Sequence, residues 1–167
     1  MKAITILLTL TLLISCSSKK SDTELFDEAK KNITEQKIPE AASAFEQLIN
    51  DYPESNLAPE ALSELASIYQ NKQVKNLSER QNLEKAIELF KRLHDDYPES
   101  EYAPSALFMA GFINANDLQN YDAATKIYND FLEEYPDNEL AASARAELDN
   151  MGLSPEEILL KNMAKEN

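Results

Sequence analysis

The sequence predicts an all-α fold, a solenoid of about three stacked helix pairs followed by a capping helix and a short terminal helix. Three observations point there. Glycine occurs only twice in 167 residues, and Ala, Leu, Glu and Lys dominate, which favours helix over strand. No stretch shows the strict two-residue alternation of a half-buried strand. One short motif also recurs. Asp51-Tyr52-Pro53-Glu54-Ser55 returns letter for letter at 96–100 and, slightly changed, as Glu134-Tyr135-Pro136-Asp137-Asn138. Repetition of this kind marks stacked supersecondary units.

The chain opens with Met1-Lys2, a short positive segment. Residues 3–14 carry no charge and are mostly Ile, Leu and Thr. At about 1.5 Å per residue that run is far shorter than the roughly 30 Å of a bilayer core. It suits the apolar region of a signal peptide, here residues 1–15. Leu13-Ile14-Ser15-Cys16 matches the bacterial lipobox, so cleavage before Cys16 and lipidation of that cysteine are expected. Cys16 is the only cysteine, which excludes an intramolecular disulfide and a structural zinc site built on cysteines. Residues 16–22 then read as a lipidated polar tether. Cleavage removes one basic residue, Lys2, and makes the net charge of −14 one unit more negative. Such a charge repels phosphate backbones, so nucleic acid is not an expected partner. Membrane attachment must come from the acyl chains. Ser17 stands where an Asp signals inner-membrane retention in some enteric bacteria, so the expected address is the outer membrane, facing the periplasm.

Residues 23–150 form the repeat domain. Before each motif copy lies the same apolar stripe: Ala41, Phe45, Leu48 and Tyr52; Ala86, Phe90, Leu93 and Tyr97; Ala124, Tyr128, Phe131 and Tyr135. Steps of four, three and four place each set on one helix face. The small residue lets a neighbouring helix approach, and the aromatic one turn later fills the gap. Pro53, Pro98 and Pro136 end these helices by restricting the residue before them. Pro59 and Pro104 fall in the first turn of the next helix, where a missing N–H is harmless. The expected helices are 22–36, 39–52, 57–71, 80–97, 102–115, 121–135 and 138–150. The polar stretch 71–82 breaks the stripe and reads as a lengthened turn, either a tolerated insertion or a partner-specific loop. In 151–167, Gly152 reads as a helix C-cap. Ser154-Pro155-Glu156-Glu157 then reads as the capped, acidic start of a short helix to about 164.

These residues resemble tetratricopeptide repeats, whose second helix carries a small–aromatic–proline signature. The matching positions are Ala41, Phe45 and Pro53; Ala86, Phe90 and Pro98; Ala124, Tyr128 and Pro136. Leu65-Ala66 with Tyr69 fits the first-helix signature of repeat two. Ala110-Gly111 fits it in repeat three, with Asn114 where Tyr is usual. Repeat one, with Glu28-Ala29 and Asn32, departs most. The Tyr-Pro-x-Ser-x-x-Ala-Pro-x-Ala-Leu variant behind a lipobox is similar to the envelope branch of the family, which includes the outer-membrane assembly lipoprotein BamD and the cell-division coordinator CpoB. The resemblance implies a right-handed solenoid and a protein or peptide partner in the envelope. It implies no cofactor, no small-molecule substrate and no enzymatic activity. Carrying over the family's groove positions gives Phe26, Lys30 and Ile33 in repeat one. Repeat two gives Glu60, Ser63, Ser67, Gln70 and Asn71, and repeat three gives Ser105, Phe108, Phe112 and Asn116. Phe26, Phe108 and Phe112 read either as groove anchors or as core. The resemblance leaves open a self-assembling scaffold or a role like the division coordinator's.

Chemistry is sparse. His94, the only histidine, stands beside Asp95 and Asp96. It reads as a polar residue favoured near a helix C-terminus rather than as a base or metal ligand. Adjacent acids such as Glu133-Glu134 are expected by chance among 30 acidic residues. No phosphate loop, nucleophile elbow or calcium loop is present.

Overall fold

The computed structural model describes residues 19–165, so the signal peptide and Cys16 lie outside the described residues. Among the described residues eight α-helices follow one another: α1 (Asp22–Thr34), α2 (Ile38–Asp51), α3 (Ala58–Gln70), α4 (Glu79–Asp96), α5 (Ala103–Phe112), α6 (Tyr121–Glu134), α7 (Ala141–Asn150) and α8 (Pro155–Lys165). A π-helical turn, Ile113–Asp117, extends α5. The pairs α1/α2, α3/α4 and α5/α6 pack in sequence, each second helix also touching the next first helix. Among the described residues no helix is long and apolar enough to cross a membrane.

Each pair is locked by its stripe. Ala41, Phe45 and Leu48 are fully buried, as are Ala86 and Leu93 with Phe90 almost so, and Ala124, Tyr128 and Phe131. The facing first-helix residues are equally buried: Ala29, Ala66 and Ala110-Gly111. A Cβ on Gly111 would come within 2.9 Å of Cε1 of Tyr128, so the close approach of this ring leaves no room for a side chain there. The Tyr128 hydroxyl has no hydrogen-bond partner, and burial followed by the Glu147 charge pushes its pKa up.

The repeated motif makes the same bonds each time. Tyr52, Tyr97 and Tyr135 end their helices with nearly the same backbone, φ −138°, −134° and −127°. The N–H groups of Ser55, Ser100 and Asn138 then donate to the tyrosine carbonyls. The N–H groups of Ala58, Ala103 and Ala141 donate in turn to the Ser55, Ser100 and Asn138 carbonyls. The side-chain oxygens of those same three residues accept from Leu57, Tyr102 and Leu140 at 3.1, 3.2 and 2.9 Å. Asn replaces Ser at 138 because both residues accept this local bond. The turn runs to Leu140, so α7 starts at Ala141, three residues later than expected.

The first helices also end alike. Gln36, Lys72 and Gln119 all take the left-handed conformation, with φ 59°, 55° and 53°. At α1 the N–H groups of Lys37 and Gln36 donate to the Asn32 and Ile33 carbonyls. At α3 those of Gln73 and Lys72 donate to Ile68 and Tyr69, the same six-to-one and five-to-two closure. In repeat three the longer bond runs from Asn120 to Asn114, one residue further, because the π turn intervenes. Asn114 is buried, and its amide donates to the Ala110 carbonyl at 2.8 Å. The expected helix 102–115 is therefore an α-helix that widens at Ile113.

The Gly111→Ala protein should be less stable by about 1–3 kcal/mol, because the buried Tyr128 ring cannot withdraw from the added methyl. An unchanged urea midpoint would show that the ring has room.

Candidate functional site

The candidate groove face is built from α1, α3, α5 and the π turn. Two ion pairs tie successive first helices together along it. Lys30 on α1 pairs with Glu64 on α3. Lys72, after α3, lies 3.9 Å from Asp117 in the π turn and 3.7 Å from Glu79. Gln70, Asn71 and Phe112, all named from the sequence, line one depression of about 380 Å³ together with Lys72 and Asp117. It combines two amides, a half-buried aromatic and one charge of each sign.

The other expected groove residues are placed differently. Phe26 is half-buried and meets Phe45 edge-on at 5.8 Å, with the Lys30 ammonium 5.8 Å from its centroid. Phe108 packs on Tyr128 at 5.5 Å and on Phe131 at 5.9 Å. Both rings are half-buried, packed on the core by one side and partly exposed, as Phe112 is. Ile33 is half-buried against the core. The hydroxyls of Ser67 and Ser105 donate back to the Ser63 and Tyr102 carbonyls, and the Asn71 amide to the Ser67 carbonyl. Glu60 is half-buried. Asn116 lies in a separate cleft of about 520 Å³ with Glu147, Tyr121 and Ile158, and its amide donates to Glu147 at 3.2 Å.

The stretch expected as a long turn divides in two. Residues 71–78 form the connection, and residues 79–82 are the first turn of α4. Ser78 caps α4 in a reciprocal box with Gln81. Asn82 is 1% exposed, and its amide donates to the carbonyls of Val74, Leu77 and Ser78 at 3.0, 3.3 and 3.0 Å. One buried side chain thus ties down the connection. The sequence reading missed it, although Asn82 sits one turn before Ala86 in the apolar stripe.

His94 bridges repeats two and three. Its Nε2 lies 2.7 Å from Glu134 on α6, and its Nδ1 lies 2.9 Å from Asp95. Its ring meets Tyr135 edge-on at 6.1 Å. Asp96 bonds Arg92 instead. Burial opposes the charged imidazole, but the hydrogen bonds and charges of Asp95 and Glu134 outweigh it and raise the pKa above 6.5. Among the described residues no three His, Cys, Asp or Glu side chains converge as a metal cluster.

Three repeated helix pairs with matched junctions define a helical-repeat protein. A family model described as "Tetratricopeptide repeat" matches residues 27–55, 60–100 and 105–138, and the chain belongs to that family. Proteins of this family generally serve as non-catalytic adaptors that bind protein partners. A search of curated proteins found no match.

Two outcomes follow from this geometry. Asn82→Ala should cost about 1–3 kcal/mol by stranding buried carbonyls, and should open the connection to trypsin at Lys72 and Lys75. Resistance equal to the native chain would show that the amide is dispensable. His94 binds its proton more tightly in the folded state, so its stabilisation is complete below about pH 6.5 and fades as pH rises through the raised folded pKa. The melting temperature should therefore fall between pH 6 and 8 by more in the native protein than in His94→Gln. Parallel curves would remove the histidine from the junction.

Proposed function

We propose that the protein is a membrane-anchored, non-enzymatic adaptor that holds a protein or peptide partner in the bacterial cell envelope. The observation that carries this reading is the depression spanning repeats two and three, where Gln70, Asn71 and Phe112 meet between Lys72 and Asp117. The Gln70 amide and the free face of the Asn71 amide suit a peptide backbone, and Phe112 suits an apolar side chain. The anchor is Cys16, read from the lipobox. The address is the outer membrane facing the periplasm, with outer-membrane protein assembly as the proposed setting. A role like the division coordinator's is the neighbouring possibility within the same branch.

A second reading, a self-assembling scaffold, draws on the apolar end of the chain. Leu159 and Leu160 on α8 are 60% and 65% exposed. Association through them would make the mass in solution rise with concentration, whereas an adaptor keeps a constant mass.

A photo-crosslinker placed at Gln70 in the native envelope should capture one defined protein. The same group at Gln47, on the exposed face of α2, should not. Phe112→Ala should weaken that capture by about tenfold, as truncating an interface aromatic does. Equal capture from both positions would sink the groove. A Cys16→Ala protein that still fractionates with membranes would sink the anchor.

A further inference from the structure

Only Ser17 and Ser18 separate Cys16 from Lys19. From Lys19 onward the chain is not a free spacer. The Tyr52 hydroxyl donates to the Lys20 carbonyl at 2.6 Å. The Lys19 ammonium lies 4.8 Å from the centroid of the same ring and 3.5 Å from the Asp51 carboxylate. Lys20 pairs with Glu28, and Ser21 closes a capping box with Glu24. At Asp22, where α1 already begins, the carboxylate accepts from the Ser55 hydroxyl at 2.6 Å. An exposed lysine pair alone is worth little. Here the pairs act beside backbone bonds at Lys20 and Ser21.

The place where this strap docks fixes its meaning. Tyr97 donates to the Pro53 carbonyl at 2.7 Å, the same reach that Tyr52 makes to Lys20. The strap therefore stands at repeat one where the Tyr-Pro turn stands at repeat two. The first two turns lie side by side, facing across a cleft of about 690 Å³ between Pro53 and Pro98. The third turn adjoins them through the contact of Tyr135 with His94. The chain thus leaves the solenoid from the edge made of these turns. The opposite edge carries Gln36, Lys72, Gln119 and the 71–78 connection. Thirteen residues of α3 separate the two edges, about 20 Å at 1.5 Å per residue.

We propose that the docked strap orients the solenoid on its anchor, with the edge of Tyr-Pro turns toward the lipid surface and the 71–78 connection pointing away. The inference rests on lipidation of Cys16 as proposed above. Three Cα steps from Cys16 to Lys19 span at most about 11 Å, too little to let the domain turn over. The helices then stand roughly along the membrane normal, and the groove opens sideways. Its depression at Gln70 and Phe112 sits at the far end, about 20 Å above the turn edge. Glu54, Asp96 and Glu99 on that edge keep it on the headgroups rather than in them.

Energy transfer on vesicles tests this. The full lipidated chain has its only native cysteine occupied, so an introduced cysteine takes the fluorophore. Donors at Glu99→Cys and Lys75→Cys are compared on phosphatidylcholine vesicles carrying a headgroup acceptor. Transfer should be stronger from position 99 than from 75. The difference should be lost when Tyr52→Phe and Lys19→Ser release the strap, with the helical circular dichroism unchanged. Equal transfer from both positions in the intact chain, or stronger transfer from 75, overturns the orientation. A difference that survives release of the strap overturns the strap as its cause. A chain that does not float with the vesicles overturns the lipid anchor, and the orientation falls with it.

Discussion

Everything in this fold depends on how the chain turns from one repeat into the next. A tyrosine closes each second helix, and a proline forbids its continuation. The following Ser or Asn then takes up the backbone groups that a turn would otherwise leave unpaired. The bonds are the same in all three copies, so each repeat launches the next first helix in the same direction. At the first two junctions the tyrosine hydroxyl also reaches back to a carbonyl at the start of its own repeat. A local turn and a longer-range tie are thus made by one residue. That coupling makes the stack regular, with no strand among the described residues to align it.

Between junctions, regularity comes from volume. Small residues on first helices face aromatics on second helices, and any change on one side requires an answer on the other. Repeat three shows this answer. Its aromatic is Tyr128 instead of Phe, and the residue opposite is Gly111 instead of Ala. The first helix then widens into a π turn two residues later. The left-handed cap follows sixteen residues after Ala103 but fourteen after Ala58, and both caps still face their neighbours across the Lys72–Asp117 pair.

Much of this was legible in the sequence because it rests on periodicity and on proline. The stripes and the three turns follow from spacing alone, and the helix ends fall within three residues of expectation, whereas Gly152 is not the helix cap it read as but the positive-φ position of a turn that the Leu153 N–H closes on the Asn150 carbonyl. What escaped rests on contacts between segments distant in space. Asn82 reads as polar and therefore as loop, yet burial and three carbonyls make it structural. The π turn leaves no mark in the apolar pattern, because α5 is apolar around most of its circumference. Among the groove candidates, Gln70, Asn71 and Phe112 converge on one depression, while the half-buried Phe26 and Phe108 pack on Phe45 and on Tyr128 with Phe131. A carried-over position fixes the face a side chain starts from, and neighbouring volumes decide how far it is covered.

The two edges of the solenoid obey different rules. Extra residues in repeat two, and the π turn in repeat three, are both absorbed where a first helix hands over to its second. The turns on the other edge keep one bond pattern throughout. One margin is a ruler with fixed graduations, and the other is slack. Length is added after Lys72 and before Gln119 while the turn that opens the next repeat keeps its bonds. The same insertion between Tyr97 and Ala103 would shift every helix that follows.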